Sequence, residues 1–191
     1  MKRKIILILV FLIIFLLIPM TVNAKDKYEI AKDTYYELFD KLNNTKNEDL
    51  EEWYLEYQRL ANIYDKDRDT IEVFFTEEEI QLMLQVIETE TYQASFIQKV
   101  NVANVLINRW QYIDVFKCNS MKELITDENQ FAYYRTNISS DTINALNFAF
   151  EIKDTTNGSV GFRSDIKTET FNKWEYSGIY DGAHWFYKLK E

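Results

Sequence analysis

Carboxylates are the chemically capable groups that this sequence has in surplus. One His (His184) and one Cys (Cys118) cannot build a His-rich zinc site, a thiolate cluster or an internal disulfide, whereas Asp and Glu number 31. Among those acids, one stands apart by position. Along 77–90, at 100° per residue from Ile80, the side chains Ile80, Leu82, Met83, Leu84, Val86 and Ile87 average to a direction of about 315°. Glu90 falls at about 280°, inside the apolar arc, and Glu88 at about 80°, near its edge. A carboxylate on the core side of a helix end is poorly solvated when ionised, which raises its pKa toward the range of a general acid working near neutral pH. The alternative is a helix that has already ended, with Glu90 turned to solvent.

Two other groupings carry chemistry. Asn101, Asn104 and Asn108 recur at i, i+3 and i+7 on a stretch otherwise rich in Val and Ala. They form either a solvated face or a row of amides beside a polar ligand, or beside Glu90. Cys118 and His184 are the one pair that would serve nucleophilic catalysis. Their context is poor, since FKCNSMKE offers only Lys117 and Lys122 as activating cations and no Asn or Asp is clearly placed to orient the imidazole.

The elements that must position these groups follow from the apolar pattern and the punctuation. Lys2, Arg3 and Lys4, the apolar run 5–18, Pro19 and Val22-Asn23-Ala24 describe a signal peptide cleaved after Ala24. An uncleaved anchor is the alternative. Lys plus Arg total 22, giving a net charge of -9, and cleavage would make the chain more negative still. Nucleic acid, whose binding rests on phosphate neutralisation, is excluded as a partner. All 4 glycines lie beyond residue 157, so the preceding chain reads as helices joined by polar links such as 43–47 and 65–69. A helical hairpin is expected over 27–42 and 48–64. Further helices are expected from 77, opened by a Thr76–Glu79 capping box, at 96–110, at 120–127 with a Ser120–Glu123 box, and at 141–152. The tail reads as a two-stranded hairpin, 174–180 and 183–189, around a type I′ turn at Asp181-Gly182. The fold class is mainly α with a small C-terminal β-hairpin (α+β), organised as 1–24 signal peptide, 25–75 helical-hairpin prefix and 76–191 catalytic domain.

The stretch 82–109, LMLQVIETETYQASFIQKVNVANVLINR, resembles the core motif of SleB-type cell wall hydrolases, the spore-cortex-lytic family. That motif is an apolar helix ending in Glu, a short turn, and a Val/Ala-rich helix closing in Asn-Arg. The resemblance continues at Gln130-Phe131 and at Gly182-Ala183-His184-Trp185-Phe186-Tyr187, in the family's order. It implies a lysozyme-like or lytic-transglycosylase-like domain acting on peptidoglycan glycan strands, with the catalytic acid on Glu90. The chain departs from the pattern in two places. Tyr92, Gln93 and Ala94 stand where members usually carry Gly and a second Glu, and Glu88 stands where an aromatic is common.

Further expectations follow from the resemblance. Gln130, Phe131, Tyr133, Tyr134 and His184 would line the substrate site, the tyrosines covering apolar sugar faces while their phenols reach hydroxyls. Asn104 and Asn108 would support it. Glycosidic cleavage by a hydrolase needs a second carboxylate, for which Asp127, Glu128, Asp141, Asp165 and Glu169 are candidates. A lytic transglycosylase needs none, because the substrate's own C6 hydroxyl attacks, and the resemblance favours that outcome. No metal or cofactor is required. The expected protein is a monomer, secreted or held in the envelope of a Gram-positive bacterium, touching membrane only through an uncleaved leader. The alternatives are a muramidase, a Cys–His peptidase or amidase, and a non-catalytic wall-binding protein.

Overall fold

A computed structural model of the chain describes residues 24–44, 50–64, 70–127, 130–171 and 173–190. The leader and the alternative anchor lie outside the described residues, as do Glu128 and most of the two polar links. Among the described residues, no helix is long and apolar enough to cross a membrane.

Two helices, α1 (Ala24–Asn44) and α2 (Leu50–Tyr64), form the expected hairpin. Tyr35 and Tyr57 stack across it at 5.1 Å. Tyr54 is fully buried and meets Phe148 edge-on at 5.2 Å, which carries the hairpin's apolar face into the main core. After a single turn, α3 (Ile71–Phe74), comes α4 (Glu77–Glu90). Its capping box forms as expected, with Thr76 Oγ1 accepting from Glu79 N and Glu79 Oε2 accepting from Thr76 N. Glu79 also accepts from Met121 N at 3.0 Å, tying α7 (Met121–Thr126) to the start of α4. The expected box at Ser120 is only half made. Ser120 accepts from Glu123 N, but the Glu123 carboxylate caps Asn119 N at 2.7 Å instead.

The centre of the fold is α5 (Phe96–Gln111), whose residues 99–109 are all buried. It packs against α4, against α8 (Ser140–Glu151) and against the sheet. A helix enclosed on every side explains the wrap of Val100, Val102, Ala103, Val105, Leu106 and Ile107 around its circumference. A short helix, α6 (Ile113–Phe116), follows it.

The tail holds a four-stranded antiparallel sheet where only a hairpin was expected. Its strands are β1 (Ser159–Arg163), β2 (Thr170–Phe171), β3 (Trp174–Tyr180) and β4 (Trp185–Leu189), in the order β1-β4-β3-β2. The two added strands are too short to show as periodic runs. The turn also differs from type I′. Tyr180 pairs with Trp185, which leaves four residues in the loop. Asp181 organises that loop by accepting from Ala183 N at 3.0 Å and His184 N at 2.8 Å. Gly161 on β1 is required by packing, since a Cβ there would lie 2.3 Å from the Trp174 ring. Mainly helical with a small C-terminal sheet, the architecture is the fold class that the sequence predicts.

Candidate active site

At the C-terminal end of α4, Glu88 and Glu90 enter different surroundings. The helix stops at Thr91, whose hydroxyl donates back to Ile87 O, and the chain turns into α5 through Gln93, a non-glycine residue at φ 60°. An irregular segment, 130–139, lies over this helix end. Its Ser139 N–H donates to Glu88, its Arg135 N–H to Thr89 Oγ1 (3.1 Å) and its Ala132 N–H to Glu90 Oε1 (3.0 Å). Three consecutive residues of α4 therefore each receive one backbone donor, and the segment needs no ladder of its own.

Burial of the two acids runs opposite to the helical wheel. Glu88 is 5% exposed, whereas Glu90 is half-buried. The wheel counts only the apolar residues of α4, while the cover over Glu88 comes from α5 and the start of α8. Lys99 donates to Ser139 Oγ (2.8 Å) and Thr142 Oγ1 (3.1 Å), and both hydroxyls donate on to Glu88 Oε2 (2.8 and 2.5 Å). Burial alone would lift the Glu88 pKa, but these donors, the Ser139 N–H and Lys99 together hold it below the ordinary carboxylate value. Glu88 is thus a buried anion held through Oε2 by three hydrogen bonds and the Lys99 ammonium. Glu90 has its one hydrogen bond at Oε1, and Oε2 has no partner among the described residues.

The other predicted site residues divide into scaffold and surface. Gln130 Oε1 accepts from Arg109 Nη1 at 2.9 Å, and Phe131 packs 4.3 Å from the same guanidinium. Arg109 also donates to Val160 O and lies near the Phe116 and Trp174 rings. Burial pushes its pKa down to about 10, so it stays protonated near neutral pH. Gln130 and Phe131 therefore anchor the 130–139 segment to the core through Arg109. Tyr133 and Tyr134 stand out from that segment at 38% and 75% exposure. Tyr92, exposed on the neighbouring turn, carries the Arg135 guanidinium on its ring face at 3.4 Å. Tyr92 and Arg135 were not picked out for the site from the sequence. Their only signal was a cation directly after two tyrosines.

The amide stripe is neither solvated nor turned toward Glu90. Asn101, Asn104 and Asn108 are all buried. Asn101 donates to Asp181 and accepts from Thr155, Asn104 donates to Thr155, and Asn108 donates to Thr156 and Ser159 O. The stripe clamps the loop before β1 and the β3–β4 turn onto α5. His184 is buried between the Phe162 and Phe186 rings, with Nδ1 3.6 Å from Asp181 Oδ1. Burial opposes ionisation of Asp181, yet donors from His184, Ala183 and Asn101 keep its pKa below the ordinary value.

Cys118 shares none of these partners. It lies in a groove of about 370 Å³ with Lys117, Glu123 and Asp127, and burial and those two acids push its thiol pKa up, away from a reactive thiolate. Of the candidate second carboxylates, Asp165 is ion-paired with Arg163, which holds its pKa at about 2, Glu169 lies 3.7 Å from Lys167, and Asp127 lines the Cys118 groove. Asp141 lies exposed in the first turn of α8.

No protein-family model matches the sequence, and no curated protein matches it. Solved structures do supply a match. The catalytic domain of the Bacillus cereus SleB protein superposes with a TM-score of 0.50 at 21% identity, covering 60% of this chain and 92% of that one. The chain has a SleB-like fold. The alignment spans nearly all of the SleB domain, so the likeness is to that fold and not to one shared helical pair.

Proposed function

We propose that this protein cleaves the glycan strands of peptidoglycan as a lytic transglycosylase, with Glu90 as its single acid and base. The end of α4 carries the reading. A half-buried carboxylate is fixed at one oxygen by the Ala132 N–H and free of hydrogen bonds at the other among the described residues, beside exposed Tyr92, Tyr133 and Tyr134. In the reaction Glu90 donates its proton to the glycosidic oxygen as the bond to C1 breaks. The carboxylate then takes the proton of the muramic acid C6 hydroxyl while that oxygen closes on C1, leaving a 1,6-anhydro ring. The faces of Tyr133 and Tyr134 supply stacking surface for the sugars. Support for this outcome over a muramidase comes from the acids themselves, since Asp165 and Glu169 pair with cations and Glu88 is buried against Lys99. The raised thiol of Cys118 speaks against a cysteine peptidase. The SleB-like fold and the predicted leader fit a secreted wall enzyme.

The test is digestion of purified peptidoglycan with mass spectrometry of the products. Anhydro-muropeptides are expected. Reducing ends would make the enzyme a muramidase, cut stem peptides would overturn the glycan reading, and no products from a folded protein would favour a wall-binding role.

A further inference from the structure

The segment that holds Glu90 carries a cation that the proposed reaction leaves unused. Arg135 has its backbone fixed to Thr89, the neighbour of Glu90, by the 3.1 Å bond to Oγ1. Its guanidinium carbon lies 3.4 Å from the centre of the Tyr92 ring and 6.0 Å from that of Tyr134. Stacking by the face leaves the five N–H groups in a plane, directed outward from the ring. Arg59, Arg109 and Arg163 all deliver N–H groups to protein acceptors, namely Glu56, Val160 O with Gln130, and Asp165. Arg135 Nε is buried and has no acceptor among the described residues. The side chain as a whole is only half-buried, so a guanidinium held by a ring and donating to no acceptor among the described residues fits a site that receives its acceptor from outside.

The rest of the molecule narrows the acceptor. With 31 acidic against 22 basic residues, the overall field repels an anionic polymer, so any preference for anionic substrate must come from a local, fixed cation. The edge of a guanidinium is matched to a planar carboxylate, which takes two parallel N–H bonds. We propose that Arg135, mounted on Tyr92, is a carboxylate subsite that engages an acidic group borne by muramic acid beside the scissile bond, either the lactyl carboxylate or one on the attached peptide. This inference rests on the glycan-strand reading above. It makes Arg135 a specificity residue and not a catalytic one.

Four substrates test it: peptide-bearing strands, strands stripped of peptide, and each of these with its carboxylates capped as methylamides. Wild type is expected to show a KM roughly 10- to 100-fold lower on free carboxylates than on capped ones. In Arg135→Gln that ratio should fall to near one, and Arg135→Lys should keep only part of it. Tyr92→Leu, which removes the stacking platform while leaving the charge, should also shrink it. A preference surviving on stripped strands assigns the lactyl group, and one confined to peptide-bearing strands assigns the peptide. If wild type does not distinguish capped from free strands, or if Arg135→Gln lowers all rates alike and keeps the ratio, the subsite is wrong while glycan cleavage stands. Failure to cleave any of the four would instead remove the glycan reading, and this inference with it.

Discussion

Glu88 and Glu90 leave one helix two residues apart, about 200° around its axis, into two different environments. Beneath Glu88, three hydroxyl and amide donors and a buried ammonium converge on a single oxygen. Beside Glu90 there is one backbone donor, and beyond it lie exposed tyrosines and the Arg135–Tyr92 stack. Both acids help to dock the 130–139 segment, yet only the first is buried and ion-paired while doing so. Burial alone would have chosen Glu88 as the acid with an abnormal role. Exposure and pairing together distinguish Glu90, half-buried at the helix end, as the acid that a substrate can reach, while Glu88 lies buried against Lys99.

The largest effect that separates the two is on turnover. Glu90→Gln should lower glycan cleavage by about 10²- to 10⁴-fold, measured as anhydro-product release, with its thermal midpoint close to wild type because the amide oxygen still accepts from Ala132. Glu88→Gln should do the reverse. Removing one partner of a buried ion pair strands the Lys99 ammonium, 4% exposed, and should cost about 3 kcal/mol in denaturant unfolding. Activity per folded molecule should fall far less than in Glu90→Gln. The double variant Glu88→Gln/Lys99→Met should recover part of that stability, since the stranded charge is gone. If Glu88→Gln abolished turnover in fully folded protein, the division of labour argued here would be wrong.

Acid should expose the same contrast through stability. The Glu88 pKa in the folded protein lies below the ordinary 4.5, so the unfolded chain binds the extra proton as pH falls. Its contribution is complete above the unfolded value and is lost as pH drops through the folded one. Asp181, also held below its ordinary 3.8, titrates with the same sign. Urea midpoints should therefore be flat above about pH 5 and decline below it. Glu88→Gln should flatten part of that decline and leave the share belonging to Asp181.

Local patterns were legible in the sequence where a local rule fixed them. Thr76 and Glu79 capped α4 as written, and the 3.6-residue period located the longer helices. What escaped depended on contacts between distant segments. The cover over Glu88 comes from Ser139 and Thr142, some fifty positions away, and the wheel of one helix cannot contain it. The amide stripe was visible as a stripe, but its partners Thr155, Thr156 and Asp181 belong to loops that carry no periodic signal. Strands β1 and β2 are short and gain their identity only by pairing with β4 and β3. Arg135 gains its setting only when the fold brings it onto Tyr92, more than forty positions away.

The smallest predicted effect concerns the turn that follows Glu90 and the departure from the SleB-type pattern there. Gln93 sits at φ 60°, a left-handed conformation that costs a side chain with a Cβ roughly 1–2 kcal/mol relative to glycine. Glycine would adopt the same backbone without that strain. Gln93→Gly relieves that strain but gives the unfolded chain more freedom, worth about 0.4–1 kcal/mol in the opposite direction. The net should be a gain of about 0.5–1 kcal/mol, seen as a rise of roughly 1–4 °C in thermal midpoint for a chain of this size. Because the substitution touches the backbone between Glu90 and α5 and none of the donors to either acid, it should leave cleavage by Glu90 within about twofold. A loss of activity larger than that would mean that the strained turn itself sets the position of Glu90, and that the Ala132 N–H is not sufficient to hold it.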